Sequence, residues 1–391
     1  MISPIESFDP INFRRYLHQY PELSHHERQS ADFIAQQLRQ FGLSPKTELG
    51  GHGIVVEFDS GKPGETSLFR ADFDALPIQE QANHKHISCH EGIMHACGHD
   101  GHTASLMMVA KHLVTHPPLS GRVLLLFQPA EETGAGAASM LQEPWLTNQT
   151  VDHTYAYHNL PGYPLDTLVI KPGTFACAST GVTIELFGKT SHAAKPENGV
   201  APTLAMTEVI KLLQTLPDQF AGVFTLTTVV HASLGETVNG EAAFGTAPGY
   251  AKVLATLRSE NTQTLLAMKS LVEQQICTLC EKEKLQYEVS WQEWFNAAVN
   301  SPLHCQQVIN RAQALGLPIE LIDEPMRWSE DMAEFLTKWP GALFCIGSGE
   351  AHPQLHNPDY DFPDALIATA SRLFCALIEE NHGNKKVISS D

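Results

Sequence analysis

The sequence is short of positive charge. Its 391 residues carry 25 Lys and Arg against 44 Asp and Glu, a formal net charge of −19, with no Lys/Arg-rich run. Gripping a phosphate backbone needs basic patches, so nucleic acid is excluded as a partner. No apolar run is long enough to span a bilayer, and the first ten residues, Glu6 and Asp9 among them, hold no apolar signal core. No membrane association and a cytoplasmic location are expected. The eight cysteines are scattered along the chain, which suits reduced thiols better than a disulfide framework. Internal repeats, low-complexity segments and a Gly-x-Ser-x-Gly elbow are absent. Gly134-x-Gly136 has Ser139 where a dinucleotide fingerprint needs its third glycine, and Gly188-Lys189-Thr190 has Thr183 where a phosphate loop needs its first. Cys277-x-x-Cys280 lies in a long helical stretch with no second ligand pair nearby and reads as two half-buried thiols.

What remains is an ordinary globular composition, 43% hydrophobic and 18% charged, long enough for two or three domains. Asn12–Gly42 reads as mostly helical, Gly53–Phe58 and Ser67–Ala71 as short buried strands, Thr103–His116 as a helix stopped by Pro117-Pro118, and Val123–Phe127 as a central strand. That alternation predicts an α/β fold with a mostly parallel sheet covered on both faces. The rhythm then changes. Strand Val182–Phe187, helix Ala201–Leu216, strands Thr225–Val230 and Tyr250–Leu257, helix Thr262–Glu283 and strand Gln286–Trp291 follow in the order βαββαβ, a ferredoxin-like unit. The α/β pattern resumes with a helix near Leu303–Leu315, a strand at Leu343–Ile346 and a helix at Asp364–Glu379, ahead of a frayed tail at His382–Asp391. The expected organisation is a catalytic domain at 1–179 and 295–391, with a smaller domain at 180–294 inserted into it.

Twenty histidines are many for this length, and they cluster between His84 and His116. The strongest stretch is Met94-His95-Ala96-Cys97-Gly98-His99-Asp100-Gly101-His102. A thiolate and up to three imidazoles share a Gly-rich turn just before a helix, the donor types that zinc and similar ions prefer. The alternative is a polar loop with satisfied histidines. Gln128-Pro129-Ala130-Glu131-Glu132 follows the apolar strand, at the carboxyl end where open α/β sheets bind ligands. Two adjacent carboxylates repel unless a cation is present or one is a base; one can ligate metal while its neighbour deprotonates water. A solvated pair explains this motif alone equally well. Tyr157-His158-Asn159 reads as a polar break after a strand, and Leu355-His356-Asn357-Pro358-Asp359-Tyr360-Asp361-Phe362 as another. Each histidine alone is more readily a satisfied polar residue than a ligand. Asp72 and Asp74, in Arg70–Pro77, sit two apart at a strand end and face one side, where one could orient a metal-bound histidine.

These five elements, in this order, resemble the dinuclear metallopeptidases related to aminoacylase and the zinc carboxypeptidases. The resemblance runs from Leu17-His18-Gln19-Tyr20-Pro21-Glu22-Leu23 to Asp361-Phe362 and is nearest to the amidohydrolase branch, which includes the hippurate and auxin-conjugate hydrolases. It implies two divalent ions per subunit, zinc first with Mn, Co or Ni open. It implies Cys97, His99, Glu132, His158 and His356 as their ligands, with Cys97 bridging. It implies Glu131 as general base and Asp74 as the acid that orients a ligand histidine. Asp72 stands where other branches carry a histidine, as expected when His99 is the ligand. The substrate implied is an N-acyl amino acid or a short peptide, cut to a carboxylic acid and a free amino acid; a metallo-exopeptidase would use the same centre.

The same resemblance makes the inserted domain a lid that mediates homodimer formation. Gly188–Pro196 matches the lid motif whose histidine, here His192, stabilises the oxyanion, in several relatives from the partner subunit. Arg258 matches a lid arginine for the substrate carboxylate, and His231 the His-Ala/Gly turn of the lid. Backbone amides at Gly347-Ser348-Gly349 are further candidates for that carboxylate. Two departures stand out. The Asn-Val-Ile-Pro stretch that many members carry is replaced within Gly240–Gly249, and Arg327-Trp328 precedes Ser329-Glu330-Asp331 where the acyl pocket is expected.

Overall fold

The computed structural model describes residues 4–235 and 243–383. Part of the altered lid stretch, 240–242, and the expected tail from 384 onward lie outside them. The chain divides into two compact units. The first takes residues up to Phe175, Ala298–Pro325 and Glu330 onward; the second takes Ala176–Ala297 with Met326–Ser329.

The first unit is built on one eight-stranded sheet. Its strands lie in the order Lys46–Leu49, Gly53–Asp59, Arg122–Gln128, Thr66–Asp72, His153–Pro161, Gly341–Gly349, Leu168–Ile170 and Ile319–Leu321. The four central neighbours run parallel. Antiparallel pairings at Gly53–Asp59 and Leu168–Ile170 flank them, and Ile319–Leu321 lies parallel to Leu168–Ile170. Thr66–Asp72 and His153–Pro161 are buried throughout, as parallel strands covered on both faces must be. Phe69, Leu125, Tyr155 and Phe344 from these strands join Leu106, Met107 and Phe374 from the helices in one core. Parallel pairing brings the carboxyl ends of neighbouring strands to one edge, with Asp72 opposite Gln128.

Two local readings need correction. Tyr157-His158-Asn159 is no break: all three residues lie inside the buried strand His153–Pro161, because each polar side chain finds a partner there. Asp72 ends its strand and Asp74 lies beyond it, so strand alternation does not put them on one face. The N-terminal helical stretch is two helices, Pro10–Gln19 and Arg28–Gln40. The first starts where the Asp9 carboxylate accepts from the N–H groups of Ile11 and Asn12.

In the second unit the strands Thr225–Leu234, Tyr250–Ser259, Ala178–Phe187 and Gln286–Phe295 form one sheet in that order, every pairing antiparallel. Helices Thr203–Thr215 and Thr262–Glu283 complete the βαββαβ order. Val209, Leu213, Met268, Val272 and Ile276 on them pack with Val182, Ile184, Val253 and Leu257 of the sheet. Met326–Ser329, read from the sequence as part of the larger domain, groups here instead. The Cys177 N–H donates to the carbonyls of Met326 and Trp328, and Arg258 Nη1 donates to the Arg327 carbonyl and Ser329 Oγ. Among the described residues no helix is long and apolar enough to cross a membrane.

Candidate metal centre

Four stretches of the first unit deliver side chains to one place. Cys97 and His99 flank Gly98, which sits at φ +94° immediately before the helix His99–Thr115. A Cβ there would lie 2.4 Å from Asn159 Oδ1 and 2.9 Å from the Tyr360 hydroxyl, so the turn requires glycine. Glu131 and Glu132 follow the strand Arg122–Gln128, after Ala130 at φ +53°. His158 comes from the buried strand His153–Pro161. His356 has φ +65°, and its N–H donates to the Ala96 carbonyl at 2.8 Å, tying its segment to the Cys97 turn. Left-handed backbone at two non-glycine positions costs of order 1–3 kcal/mol each and clusters where function demands it.

The donor atoms of Cys97, His99 and His158 lie within 4.8 Å of one another, as do those of Cys97, Glu132 and His356, and those of His99, Glu131 and Glu132. The first two groups share only Cys97. Cys97 Sγ is 3.3 Å from His158 Nε2. His99 Nε2 is 3.7 Å from Glu132 Oε1 and 4.0 Å from Glu131 Oε2, and His356 Nε2 is 3.7 Å from Glu132 Oε2. His158 Nδ1 faces the Asn159 carbonyl at 2.7 Å and so carries the proton, leaving Nε2 directed to the centre.

The residues fit a metal. His99 Nε2 and Glu132 Oε1 are buried without a hydrogen-bond partner, and thiol, imidazole and carboxylate are the donors that zinc-type ions take. The electrostatics point the same way. Burial, with Asp74 and Asp72 adding to it, pushes Glu132 up to about 8 against the opposing pull of His99. Burial first, then Glu330 and Glu132, raises Glu131. Burial and the same carboxylates raise the Cys97 thiol. His99 goes up to about 10 because Asp72 and Asp74 outweigh its burial. So many acids around one buried space call for positive charge.

A supporting layer escaped the sequence reading. His102, offered as a third imidazole of the turn, has both ring nitrogens engaged, Nδ1 with Asp72 Oδ1 and Nε2 with Asn159 Oδ1, each at 2.6 Å. Asn159 Nδ2 in turn donates to the Tyr360 hydroxyl. Arg70 is buried between Asp72, Glu330 and Asp331. Only the polar character of these residues hinted at such pairing.

The remaining expected residues lie elsewhere. His192 is on the short strand Ser191–His192 of the second unit, where its Nδ1 accepts from the Ala194 N–H at 3.0 Å. His231 is exposed on the strand Thr225–Leu234. Arg258 Nη1 donates to a carbonyl and a hydroxyl, and burial lowers its pKa. Two of the three backbone amides expected near the substrate carboxylate are already engaged. The N–H groups of Gly347 and Gly349 already donate to the carbonyls of Thr167 and Tyr163, at 2.8 and 2.9 Å, so neither is a free donor for a substrate carboxylate.

Known proteins share this architecture. The N-acetyl-L-cysteine deacetylase of Bacillus subtilis is 31% identical over 367 residues, 92% of this chain and 85% of the relative. The hippurate hydrolase of Campylobacter jejuni is 29% identical over 376 residues, 93% of this chain and 94% of the relative. The crystal structure of the Bacillus subtilis YXEP protein, a dinuclear metal binding peptidase from the M20 family, superposes with a TM-score of 0.77 at 27% identity, covering 94% of this chain and 96% of that one. With the model of peptidase family M20/M25/M40 matching residues 68–380, the chain belongs to that family and is a metal-dependent amide hydrolase.

Proposed function

We propose that the protein hydrolyses the amide bond of N-acyl amino acids to a carboxylic acid and a free amino acid, with Glu131 as general base. The observation that carries this reading is the division of labour between two adjacent carboxylates. Glu132 joins Cys97 and His356 in one donor group, and neither of the two groups that share Cys97 needs Glu131. Two divalent ions at the centre, zinc being best suited to the donor set, would polarise the attacking water and the amide carbonyl. Cys97, His99, Glu132, His158 and His356 would hold them.

Glu131, buried and facing the same space, takes the proton from water at its carboxylate and returns it to the leaving nitrogen. Asp74 holds His99 from behind. His192 and His231 of the second unit are assigned to the oxyanion and the lid by resemblance, as is a homodimer through that unit. Arg258 is assigned to the substrate carboxylate on the same ground.

The test is release of free amino acid from an N-acetyl amino acid, N-benzoylglycine and a dipeptide, with and without chelator. The proposal expects chelator-sensitive turnover of an acylated amino acid well above that of the dipeptide. Preference for the dipeptide would turn the reading to an exopeptidase, and turnover unaffected by chelator would end it.

A further inference from the structure

A second cluster of metal-ligating side chains lies in the first unit, and none of its members belongs to the centre described above. It gathers from three stretches: His18 from the helix Pro10–Gln19, Glu80, His84 and His86 from the segment after the strand Thr66–Asp72, and Asp361 from the segment beyond His356. Glu80 Oε1 is 3.0 Å from both His18 Nε2 and His84 Nε2. Asp361 Oδ2 is 3.9 Å from His84 Nε2, while the other ring nitrogen of His18, Nδ1, faces Asp100 Oδ2 at 3.0 Å and Asp361 Oδ1 accepts from Arg14 Nη1 at 2.6 Å. One donor atom each from His18, His84 and Asp361 falls within 4.8 Å of the other two.

His18 Nε2 and Glu80 Oε1 are within hydrogen-bond reach of each other, but the spacing at His84 is that of a coordination sphere. Four ligands at about 2.0–2.1 Å from a tetrahedral ion stand about 3.3 Å from one another. His84 Nε2 reaches Glu80 at 3.0 Å, yet neither ring nitrogen of His84 makes a hydrogen bond although both are buried. An imidazole aimed at a carboxylate oxygen, but off the line a proton would need, is placed as a co-ligand is placed. His84 also stacks on His86, ring centroids 3.8 Å apart at 10°, which fixes its plane.

The charges agree. Carboxylates of Glu80, Asp100, Asp361 and Asp364 surround the guanidinium groups of Arg14 and Arg15 and the ring of His18. With His18 protonated the acids exceed the cations by one; a divalent ion in place of that proton restores balance.

We propose that His18, Glu80, His84 and Asp361 form an auxiliary site for a divalent transition ion of the zinc type. Two imidazoles and two carboxylates suit such an ion. Bound there, it would clamp the N-terminal helix to the segment that leads back to His356. It would do so without touching substrate.

The test is the number of Zn²⁺ ions bound per chain at saturation, by equilibrium dialysis of the full-length protein. Wild type, His84→Leu, Glu80→Gln and Lys85→Ala are compared, folding being checked by circular dichroism. His84→Leu and Glu80→Gln should each hold one ion fewer than wild type, and Lys85→Ala the same number. The comparison is a difference, so it stands whatever the count at the first centre. Should Glu80→Gln fail to fold, His84→Leu, at a partly exposed loop position, decides alone. Equal stoichiometry in folded wild type and His84→Leu would overturn the proposal. A one-ion loss in Lys85→Ala as well would also overturn it, because the loss would then not follow the ligands.

Discussion

His99 is held from behind by Asp74: its Nδ1 lies 3.0 Å from the Asp74 carbonyl oxygen and 3.1 Å from Asp74 Oδ1. Both neighbours are acceptors, so Nδ1 carries the proton and Nε2 faces the centre. Asp74 Oδ2 meanwhile accepts from the Glu132 N–H at 3.0 Å and from Ser24 Oγ at 2.8 Å, so one carboxylate positions two of the proposed ligands. Asp74→Asn should therefore weaken metal binding by about 10–100-fold, the usual cost of losing a partner behind a ligand. Competition with a chromophoric chelator measures it, and unchanged affinity would remove Asp74 from this role.

Glu131→Gln keeps the shape of the side chain and removes its basicity. Turnover should fall by about 10²–10⁴-fold while bound metal is unchanged. Activity assays beside metal analysis of the same preparation separate loss of a base from loss of a ligand.

Gly98→Ala should destabilise the fold. The backbone there is left-handed and the new methyl would meet Asn159 and the Tyr360 hydroxyl. A loss of roughly 1–3 kcal/mol is expected from strain and overpacking together. Urea unfolding reads the loss, and metal affinity should fall with it because Cys97 and His99 flank the turn.

Glu27 sets a pH dependence. It is buried, accepts from the N–H groups of Ala130 and His25, and is pushed up to about 7 by burial and by Asp74. A carboxyl whose folded pKa exceeds its ordinary 4.5 favours folding below 4.5. That contribution is lost as pH rises through about 7. In chelator-treated protein, Glu27→Gln should match wild type near pH 4 and gain on it up to pH 7. Above that the advantage levels off at ~3 kcal/mol. Denaturant melts at the two ends of the range check the sign.

Much of this was legible because local chemistry was enough. Apolar runs such as Val123–Phe127 marked the parallel strands, and glycines beside Cys97 and His99 marked the turn. The polar strand at His158 was not legible. A histidine inside an apolar run looks like an interruption until its partners, the Asn159 carbonyl and Cys97, are in place. The same holds for Arg70 and His102, whose carboxylate and amide partners lie up to 261 residues away. It holds also for Gly347 and Gly349, whose amides are committed to carbonyls at Thr167 and Tyr163 that no pattern foretells. Met326–Ser329 joins the second unit through Cys177 and Arg258, partners about 70 to 150 residues away that no local pattern marks.

The sheet order has a consequence for how the chain is made. Gly341–Gly349 is hydrogen-bonded between His153–Pro161 and Leu168–Ile170, two strands that leave the ribosome long before it. At about 5–20 residues per second, synthesis of the intervening chain takes on the order of ten seconds or more. Throughout that time two buried-type strands have their facing edges unfilled, the kind of template on which nascent chains associate wrongly. His356 arrives only after the filling strand, so the last of the proposed ligands and the closure of the sheet belong to the same late stage of biosynthesis.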